Sequence, residues 1–175
     1  KMPAPRRQML AVGLAVSLAL FGDLSLFAGL ATQLDLAGLT LAQLGVLLSV
    51  HRVIRIIANP LAGVWMDRFG RRPLFLFGAL LGVVSTALYG LGYGFWLFLA
   101  ARLMWGVAWA LLNVGGLTIT LDLSTPATRG RLSGLYNTWV WVGYGAGPLI
   151  GGLLIDLTGF RNAMLLCAAI SALGF

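Results

Sequence analysis

Two charged residues lie deep inside long apolar segments, and their types suit them to chemistry. Asp23 lies 14 residues after Met9, and Arg102 lies seven residues after Phe95. A charge at the centre of a membrane helix costs about 2.5–3.5 kcal/mol on insertion scales, so such residues mark proton relays, ion pathways or ion pairs. If the two segments cross a membrane in opposite directions, both charges lie about 20 Å from the same surface. The sequence therefore predicts that Asp23 and Arg102 are partners.

This pair has two interpretations, a structural ion pair or a proton-binding pair. Burial opposes ionisation of a carboxyl group, whereas a neighbouring arginine favours it. A conformational change that alters both effects lets one carboxyl group bind a proton in one state and release it in the other. Asp23 is the only carboxyl group placed deep inside an apolar segment, so we predict that it carries a coupling proton.

A second polar group lies in the segment 39–61. Arg52 and Arg55 are three residues apart and so share a helix face, which Asn59 extends by one turn. Two cations on a cavity wall would favour an anionic substrate group, although Arg55 could instead extend to the membrane surface. His51 is expected to be a packed polar residue rather than a proton carrier. Nearby aromatic residues either line a cavity or face lipid: Trp105, Trp109, Trp139, Trp141 and Tyr144.

The composition indicates that lipid surrounds these residues. Of 175 residues, 59% are hydrophobic and 10% are charged, against about 25% charged in soluble domains. The net charge of +7 does not indicate a nucleic-acid partner, because the arginines lie in short breaks between apolar runs. Cys167 is the only cysteine, so no internal disulfide is possible. No metal-ligand cluster and no nucleophile paired with a base occur, so neither an enzyme, nor a cofactor, nor a metal site is expected.

The long apolar runs predict an all-α membrane protein. Membrane helices need about 20 apolar residues, and continuous runs argue against the alternating pattern of barrel strands. A final run is too short to span, so we expect a chain of residues 1–175 truncated within a sixth helix. The predicted spans are 9–30, 39–61, 74–93, 95–121, 132–155 and 162–175 (incomplete).

Basic residues predict the orientation of the bundle. Eight lie before the first span or in the second-to-third and fourth-to-fifth connections, whereas the other side has only Arg161. Positively charged connections stay inside, so we expect a cytoplasmic N-terminus in a cell membrane, with the bacterial inner membrane as the expected location. The eight residues are Lys1, Arg6, Arg7, Arg68, Arg71, Arg72, Arg129 and Arg131.

An internal repeat predicts the arrangement of the helices. The stretches "GVWMDRFGRR" at 63–72 and "GLLIDLTGFR" at 152–161 share Gly, Asp, Gly and Arg, and each shared pair is 89 residues apart. Three helices separate the copies, so the copies lie on opposite sides of the membrane. This pattern is typical of the two inverted three-helix repeats of secondary transporters.

Four motifs resemble those of the major facilitator superfamily. The stretch from Gly63 to Arg72 is similar to the loop signature between helices two and three. Arg102 and Gly106 resemble the fourth-helix arginine motif, "LDLSTPATRGRLSG" resembles the connection after helix four, and "GYGAGPLIGG" resembles the fifth-helix motif of antiporters. The resemblance implies the N-terminal half of a twelve-helix transporter, with a cavity shared with a missing C-terminal six-helix half.

The resemblance also implies a conformational latch in the first motif. In the family, residues matching Asp67, Arg71 and Asp122 form a charge cluster that holds the outward-open state. Asp67 and Asp122 lie near helix C-termini, where the helix dipole disfavours an anion, so Arg71 could bridge them. Alternatively, the arginines bind lipid phosphates and Asp122 caps a turn. Gly70 is expected at a positive φ and Pro73 at the first position of the next helix. The predicted latch comprises Gly63, Asp67, Arg68, Gly70, Arg71, Arg72 and Asp122.

Small residues in the fifth span predict close helix packing. Gly143, Gly147 and Gly151 are four residues apart and form one stripe, which lets a neighbouring backbone approach. Pro148 is expected to kink or stiffen the helix, and Gly152 completes the motif. We expect this stripe to pack at the seam between the two halves.

Together these patterns predict a proton-coupled secondary transporter, most simply an exporter of drugs or small metabolites by alternating access. The alternatives are a proton-coupled uptake permease for an organic anion and a non-transporting membrane scaffold. The expected partners are a small-molecule substrate, protons and membrane lipid, without nucleic acid.

Overall fold

The computed structural model describes residues 4–174, and for residues 4–6 and Leu36 it describes the backbone alone. Lys1, Phe175 and the side chain of Arg6, which entered the predictions above, lie outside this description. The described residues form helices and short connections, with no strand among them. The helices are α1 (Ala4–Gly29), α2 (Leu34–Ala37), α3 (Leu41–Phe69), α4 (Arg71–Leu91), α5 (Phe95–Asp122), α6 (Arg129–Thr158) and α7 (Phe160–Ala172).

The chain is a multi-pass membrane protein with an all-α fold, as predicted. Five helices of the described chain, α1 and α3 to α6, are long and apolar enough to cross a membrane. The sixth predicted span corresponds to α7, which is apolar and has 13 residues. The short helix α2, between the first two long helices, was not predicted.

Helix α3 continues further than the apolar run suggested. It passes through Pro60 and Gly63 and ends at Phe69, so most of the presumed loop motif is helical and only Gly70 lies between α3 and α4. Helix α6 likewise contains Pro148. A backbone surrounded by lipid must satisfy its polar groups internally, which favours a continued helix over a loop even where proline removes one donor. Pro73 is the third residue of α4, not the first as expected.

Two glycines give the repeat a structural counterpart. Gly70 links α3 to α4 with φ 92° and ψ 149°, and Gly159 links α6 to α7 with φ 80° and ψ 160°. Their N–H groups donate to Met66 O at 3.0 Å and Ile155 O at 2.9 Å. A positive φ is the conformation that glycine adopts without steric cost, so the repeated glycine is explained by the repeated turn.

The packing of the helices follows the same symmetry. Residues of α1, α3 and α4 form the first repeat, and those of α5, α6 and α7 form the second. Helix α1, the first helix of its repeat, packs along α6, the second helix of the other repeat. In the same way α5, the first helix of its repeat, packs along α3, the second helix of the other repeat. Helix α4 contacts its own counterpart, α7. The fold is therefore a bundle of two interlocked three-helix units rather than two separate ones.

The glycine stripe of α6 packs against α1. A Cβ atom on Gly143 would lie 2.8 Å from Ser17 O, and one on Gly151 would lie 2.7 Å from Ser25 Cα. Ser25 Oγ donates to Gly147 O at 3.1 Å across the contact. The close approach was predicted, but its partner is α1 of this chain rather than a second half.

The other two members of that motif contribute differently. Pro148 is exposed, and Gly152 is half-buried, with a Cβ position 3.8 Å from Ala28 Cβ. The remaining faces of α3 and α6 are largely uncovered, whereas α1 and α5 are more than half buried. The buried helices α1 and α5 therefore carry the interior of the bundle.

Candidate functional site: a buried charge network

Arg102 is the centre of a polar network inside the bundle. Its side chain on α5 is fully buried and forms an ion pair with Asp23 on α1. Its Nε donates to Leu47 O on α3 at 3.1 Å, and its Nη2 lies 2.7 Å from His51 Nδ1. Its Nη1 also lies 3.4 Å from the Tyr89 hydroxyl on α4. One guanidinium thus connects four helices, and the two charges placed at equal depth by the sequence are in contact.

Burial makes this pair sensitive to change. Removing one partner of a buried ion pair costs about 3–5 kcal/mol, because the other charge remains in a medium of low dielectric. The pair nevertheless leaves carboxylate lone pairs on Asp23 that a proton can occupy when the geometry changes. The arrangement is thus suited to binding and releasing a proton.

Gly106 explains how α3 reaches Arg102. A Cβ atom on Gly106 would lie 3.1 Å from His51 O and would also collide with Ile54. The glycine one turn after Arg102 therefore brings the α3 backbone close enough for Leu47 and His51 to accept hydrogen bonds from the guanidinium.

The contact with Arg102 determines the tautomer of His51. A guanidinium has donors and no acceptor, so His51 Nδ1 must accept the hydrogen bond and the proton of the neutral ring lies on Nε2. The ring is buried and meets the Phe27 ring edge-on, with centroids 6.2 Å apart. This geometry agrees with a packed polar His51, since Nδ1 cannot take a proton while it accepts from Arg102.

Sequence reasoning missed the part of the network on α4. The hydroxyl groups of Tyr89 and Ser85 lie 3.2 Å apart, and Ser85 Oγ donates to Ala101 O at 2.8 Å. Both side chains are fully buried, and Tyr89 stacks on Phe98 with centroids 5.7 Å apart. Two polar residues four apart on one face of an otherwise apolar helix are the signal that would have identified them.

Arg55 lies in a separate group of aromatic residues. Its guanidinium carbon lies 5.4 Å from the centroid of the Trp109 ring. Trp109 stacks on Trp105 with centroids 6.1 Å apart and meets Tyr144 of α6 edge-on at 6.4 Å. Tyr144 contacts Trp141 at 5.6 Å. Four of the five aromatic residues whose surroundings the sequence left open therefore form a chain from the interior of α5 to the outer face of α6. The fifth, Trp139, packs instead against Gly13 of α1, where a Cβ atom would collide with its ring.

The two arginines of α3 have different surroundings. Arg52 is exposed, whereas Arg55 is half-buried against Trp109. Within residues 4–174, Arg55 Nε and Asn59 Oδ1 are buried atoms that have no hydrogen-bond partner. The face that the sequence assigned to both arginines thus has one exposed cation and one half-buried cation.

The structure contains one of the contacts expected for the charge cluster of the predicted latch. Arg71, the first residue of α4, forms an ion pair with Asp122, the last residue of α5. Asp67 does not join them: it is exposed, and the described part of the chain gives it no ion pair. The three-way bridge is therefore reduced to one pair.

The other latch residues surround this pair without ionic contacts in the described residues. Arg68 lies over the Phe69 ring at 5.5 Å, Arg72 is exposed, and a Cβ atom on Gly63 would meet nothing within 4 Å. The Arg71–Asp122 pair borders a cavity of about 790 Å³ that extends to Gln8 at the start of α1. The pair therefore holds together the ends of α4 and α5 beside α1.

The described residues contain no group of three or more His, Cys, Asp or Glu residues that could hold a metal ion. The charged side chains of the described interior belong to the Arg102 network, with Arg55 half-buried beside Trp109.

Comparison with known proteins adds a family match. The model of the Major Facilitator Superfamily matches residues 9–175. The chain is 30% identical over 143 residues to Multidrug resistance protein 1 of Bacillus subtilis (strain 168), which covers 79% of this chain and 36% of that protein. It is 33% identical over 131 residues to Tetracycline resistance protein, class E, of Escherichia coli, covering 75% and 32% of the two chains.

A third relative is more distant. The chain is 24% identical over 138 residues to Quinolone resistance protein NorA of Staphylococcus aureus, covering 79% of this chain and 35% of that protein. The chain therefore spans about a third of the length of these curated relatives.

Proposed function

Since the chain belongs to the Major Facilitator Superfamily, we propose that it forms part of a secondary transporter that exports drugs or small metabolites in exchange for protons. The family and the names of the relatives indicate a transporter rather than an enzyme. Two relatives are named for multidrug and tetracycline resistance, which supports export and a small-molecule substrate.

The observation that carries proton coupling is the buried contact between Asp23 and Arg102. A carboxylate that pairs with one arginine at the centre of the bundle can gain a proton when that arginine moves away. Movement of α1 relative to α5 would separate them, because each residue belongs to a different repeat. Alternating access would thereby couple the shape of the bundle to the proton on Asp23.

Alternating access also needs a contact that favours one state. In this proposal the Arg71–Asp122 pair has that role, joining the ends of α4 and α5 and opening when the bundle rearranges. Arg68, Arg72, Gly63 and Gly70 shape the surrounding turn, and Asp67 contributes charge without an ion pair to any residue that the structure describes. The latch is therefore simpler than the three-residue cluster expected from the motif.

The orientation and partners follow from the same proposal. The N-terminus and the Gly70 turn lie on the cytoplasmic side of a cell membrane, with the bacterial inner membrane as the proposed location, where Arg72 and other exposed basic residues meet lipid phosphates. The uncovered faces of α3 and α6 suit a second six-helix half that completes the substrate cavity.

A second candidate function is proton-coupled uptake of an organic anion. The observation that favours it is the pair of cations on α3, with Arg52 exposed and Arg55 enclosed. Export and uptake differ in the order in which the substrate and the proton occupy the transporter. Proton release on substrate binding supports exchange, whereas proton uptake supports joint transport.

The experiment is flux through the intact protein in lipid vesicles under an imposed pH gradient. Gradient-driven export that is lost in Asp23→Asn, with substrate exchange retained, is the expected result. Full proton-driven transport by Asp23→Asn would reduce Asp23 to a structural partner of Arg102. Absence of any flux in the native protein, despite correct folding, would favour a membrane scaffold.

A further inference from the structure

Where α3, α5 and α6 meet, one arginine and three aromatic rings form a group separate from the Arg102 network. We call Arg55, Trp109, Trp141 and Tyr144 the Arg55 aromatic site. Its three rings come from two helices and are in continuous contact. The arginine comes from a third helix and lies over the most buried of these rings.

The site has unused hydrogen-bonding capacity. Arg55 Nε is buried and, among the described residues, has no hydrogen-bond partner, and the same is true of Asn59 Oδ1 one turn further along α3. Leaving a buried donor unsatisfied is destabilising, so such a group in a folded protein calls for an explanation. The two ion pairs of the described chain involve other residues, so Arg55 forms no ion pair there.

The exposure of the rings forms a gradient toward the outside of the bundle. Trp109 is 6% exposed, Tyr144 37% and Trp141 71%. A flat molecule could therefore contact Trp141 and Tyr144 while one end reaches toward Arg55. Arginine binds carboxylates through two parallel hydrogen bonds, and aromatic rings prefer offset or edge-on contacts with other rings.

We propose that the Arg55 aromatic site binds a planar aromatic carboxylate, with its carboxylate on the Arg55 guanidinium and its ring against Tyr144 and Trp141. A cationic ligand fits less well, although aromatic rings attract cations. The face of Trp109 is already occupied by the Arg55 cation, which would repel a second positive charge. The charge of the site therefore selects for an anion and its rings select for a flat one.

This inference deepens the proposed function and rests on it only in treating the ligand as a substrate. An anion at Arg55 is compatible with export and with uptake, because the direction depends on whether the substrate and the proton bind together or in turn. Binding is therefore measured without a gradient, so that failure of this site and failure of transport give separate results.

The test is equilibrium binding of radiolabelled naphthoate to the intact protein in lipid nanodiscs. Neutral naphthamide has the same rings without the charge, and cyclohexanecarboxylate has the charge without the rings. We expect naphthoate to bind about tenfold or more tightly than naphthamide, and Arg55→Ala to abolish this preference. Trp109→Leu should weaken naphthoate binding by about threefold to tenfold, since it removes the support of the guanidinium and the ring contact with Tyr144.

Matched variants control for general damage to the fold. Trp96→Leu changes an exposed tryptophan of the same helix, and Arg131→Ala changes an exposed arginine of α6; neither should alter naphthoate binding. Arg55→Lys keeps the charge but loses the two-point contact, so an intermediate affinity is expected. The proposal would be overturned if naphthoate bound no more tightly than naphthamide or than cyclohexanecarboxylate. It would also be overturned if Arg55→Ala kept the preference for naphthoate over naphthamide, or if the native protein did not bind naphthoate.

Discussion

Nη2 of Arg102 lies 2.7 Å from Nδ1 of His51, so the guanidinium that pairs with Asp23 is also bonded to α3. This contact makes His51 an acceptor and keeps its ring neutral while the bond persists. The histidine therefore positions Arg102, and its Nδ1 cannot take a proton in this conformation.

The first prediction tests His51 as an acceptor. His51→Leu should lower the free energy of unfolding by about 1–3 kcal/mol, because a buried donor of Arg102 loses its partner. His51→Asn should retain most of that stability, since its amide oxygen can accept in place of Nδ1. Thermal unfolding in detergent measures the stability of both variants.

Transport by His51→Asn provides the complementary result. We expect proton-driven flux to persist in this variant, because Asp23 still provides the titratable group. Loss of coupling with normal stability in His51→Asn would instead assign the proton to the histidine.

A second prediction concerns the latch. Arg71 and Asp122 form an ion pair, while Asp67 does not take part in it. Arg71→Ala and Asp122→Asn should therefore be non-additive, with a coupling energy of about 0.2–1 kcal/mol because both side chains are partly exposed. The effect of Asp67→Asn should be additive with that of Arg71→Ala and with that of Asp122→Asn. Accessibility of an engineered cysteine in the cavity at Gln8 measures the shift between conformations.

The sequence motif alone predicts the opposite pattern for Asp67. Strong non-additivity between Asp67→Asn and Arg71→Ala would restore the three-residue cluster, in a conformation other than the one described. Full additivity of Arg71→Ala with Asp122→Asn would remove the latch.

The third prediction uses two glycines of α6. A Cβ atom on Gly147 would lie 2.8 Å from Leu24 Cβ and 3.2 Å from Phe21 O, so Gly147→Ala must push α6 away from α1. Such overpacking typically costs about 1–3 kcal/mol. A Cβ atom on Gly145 would meet nothing within 4 Å, and Gly145→Ala should leave stability unchanged or raise it by up to about 1 kcal/mol.

Chemical unfolding in detergent compares the two alanine variants directly. Equal effects of Gly147→Ala and Gly145→Ala would show that α1 and α6 do not require close contact. A larger loss of stability in Gly147→Ala than in Gly145→Ala would show that α1 and α6 are also in close contact in detergent solution.

Much of the fold could be predicted from local patterns. Long apolar runs specify membrane helices because an unsatisfied backbone group in lipid is too costly, and this holds whatever the tertiary arrangement. The 89-residue repeat correctly indicated paired three-helix units, and the shared glycine at 70 and 159 marks a turn that needs a positive φ. Helix ends were less well predicted: α3 continues to Phe69 instead of ending at residue 61, because a continued helix satisfies the backbone groups that a loop would leave open.

The partners of the polar residues could not all be read from the chain. Depth along a helix brought Asp23 and Arg102 to one level, since the rise per residue is constant. Rotation about each helix axis, which depends on packing, decided that Arg102 also contacts His51 and Tyr89 and that Asp67 misses Arg71. The same rotation enclosed Arg55 against Trp109 while leaving Arg52 exposed. Sequence therefore determined which residues lie at which depth, and tertiary packing decided which of them touch, because contact depends on the facing of neighbouring helices.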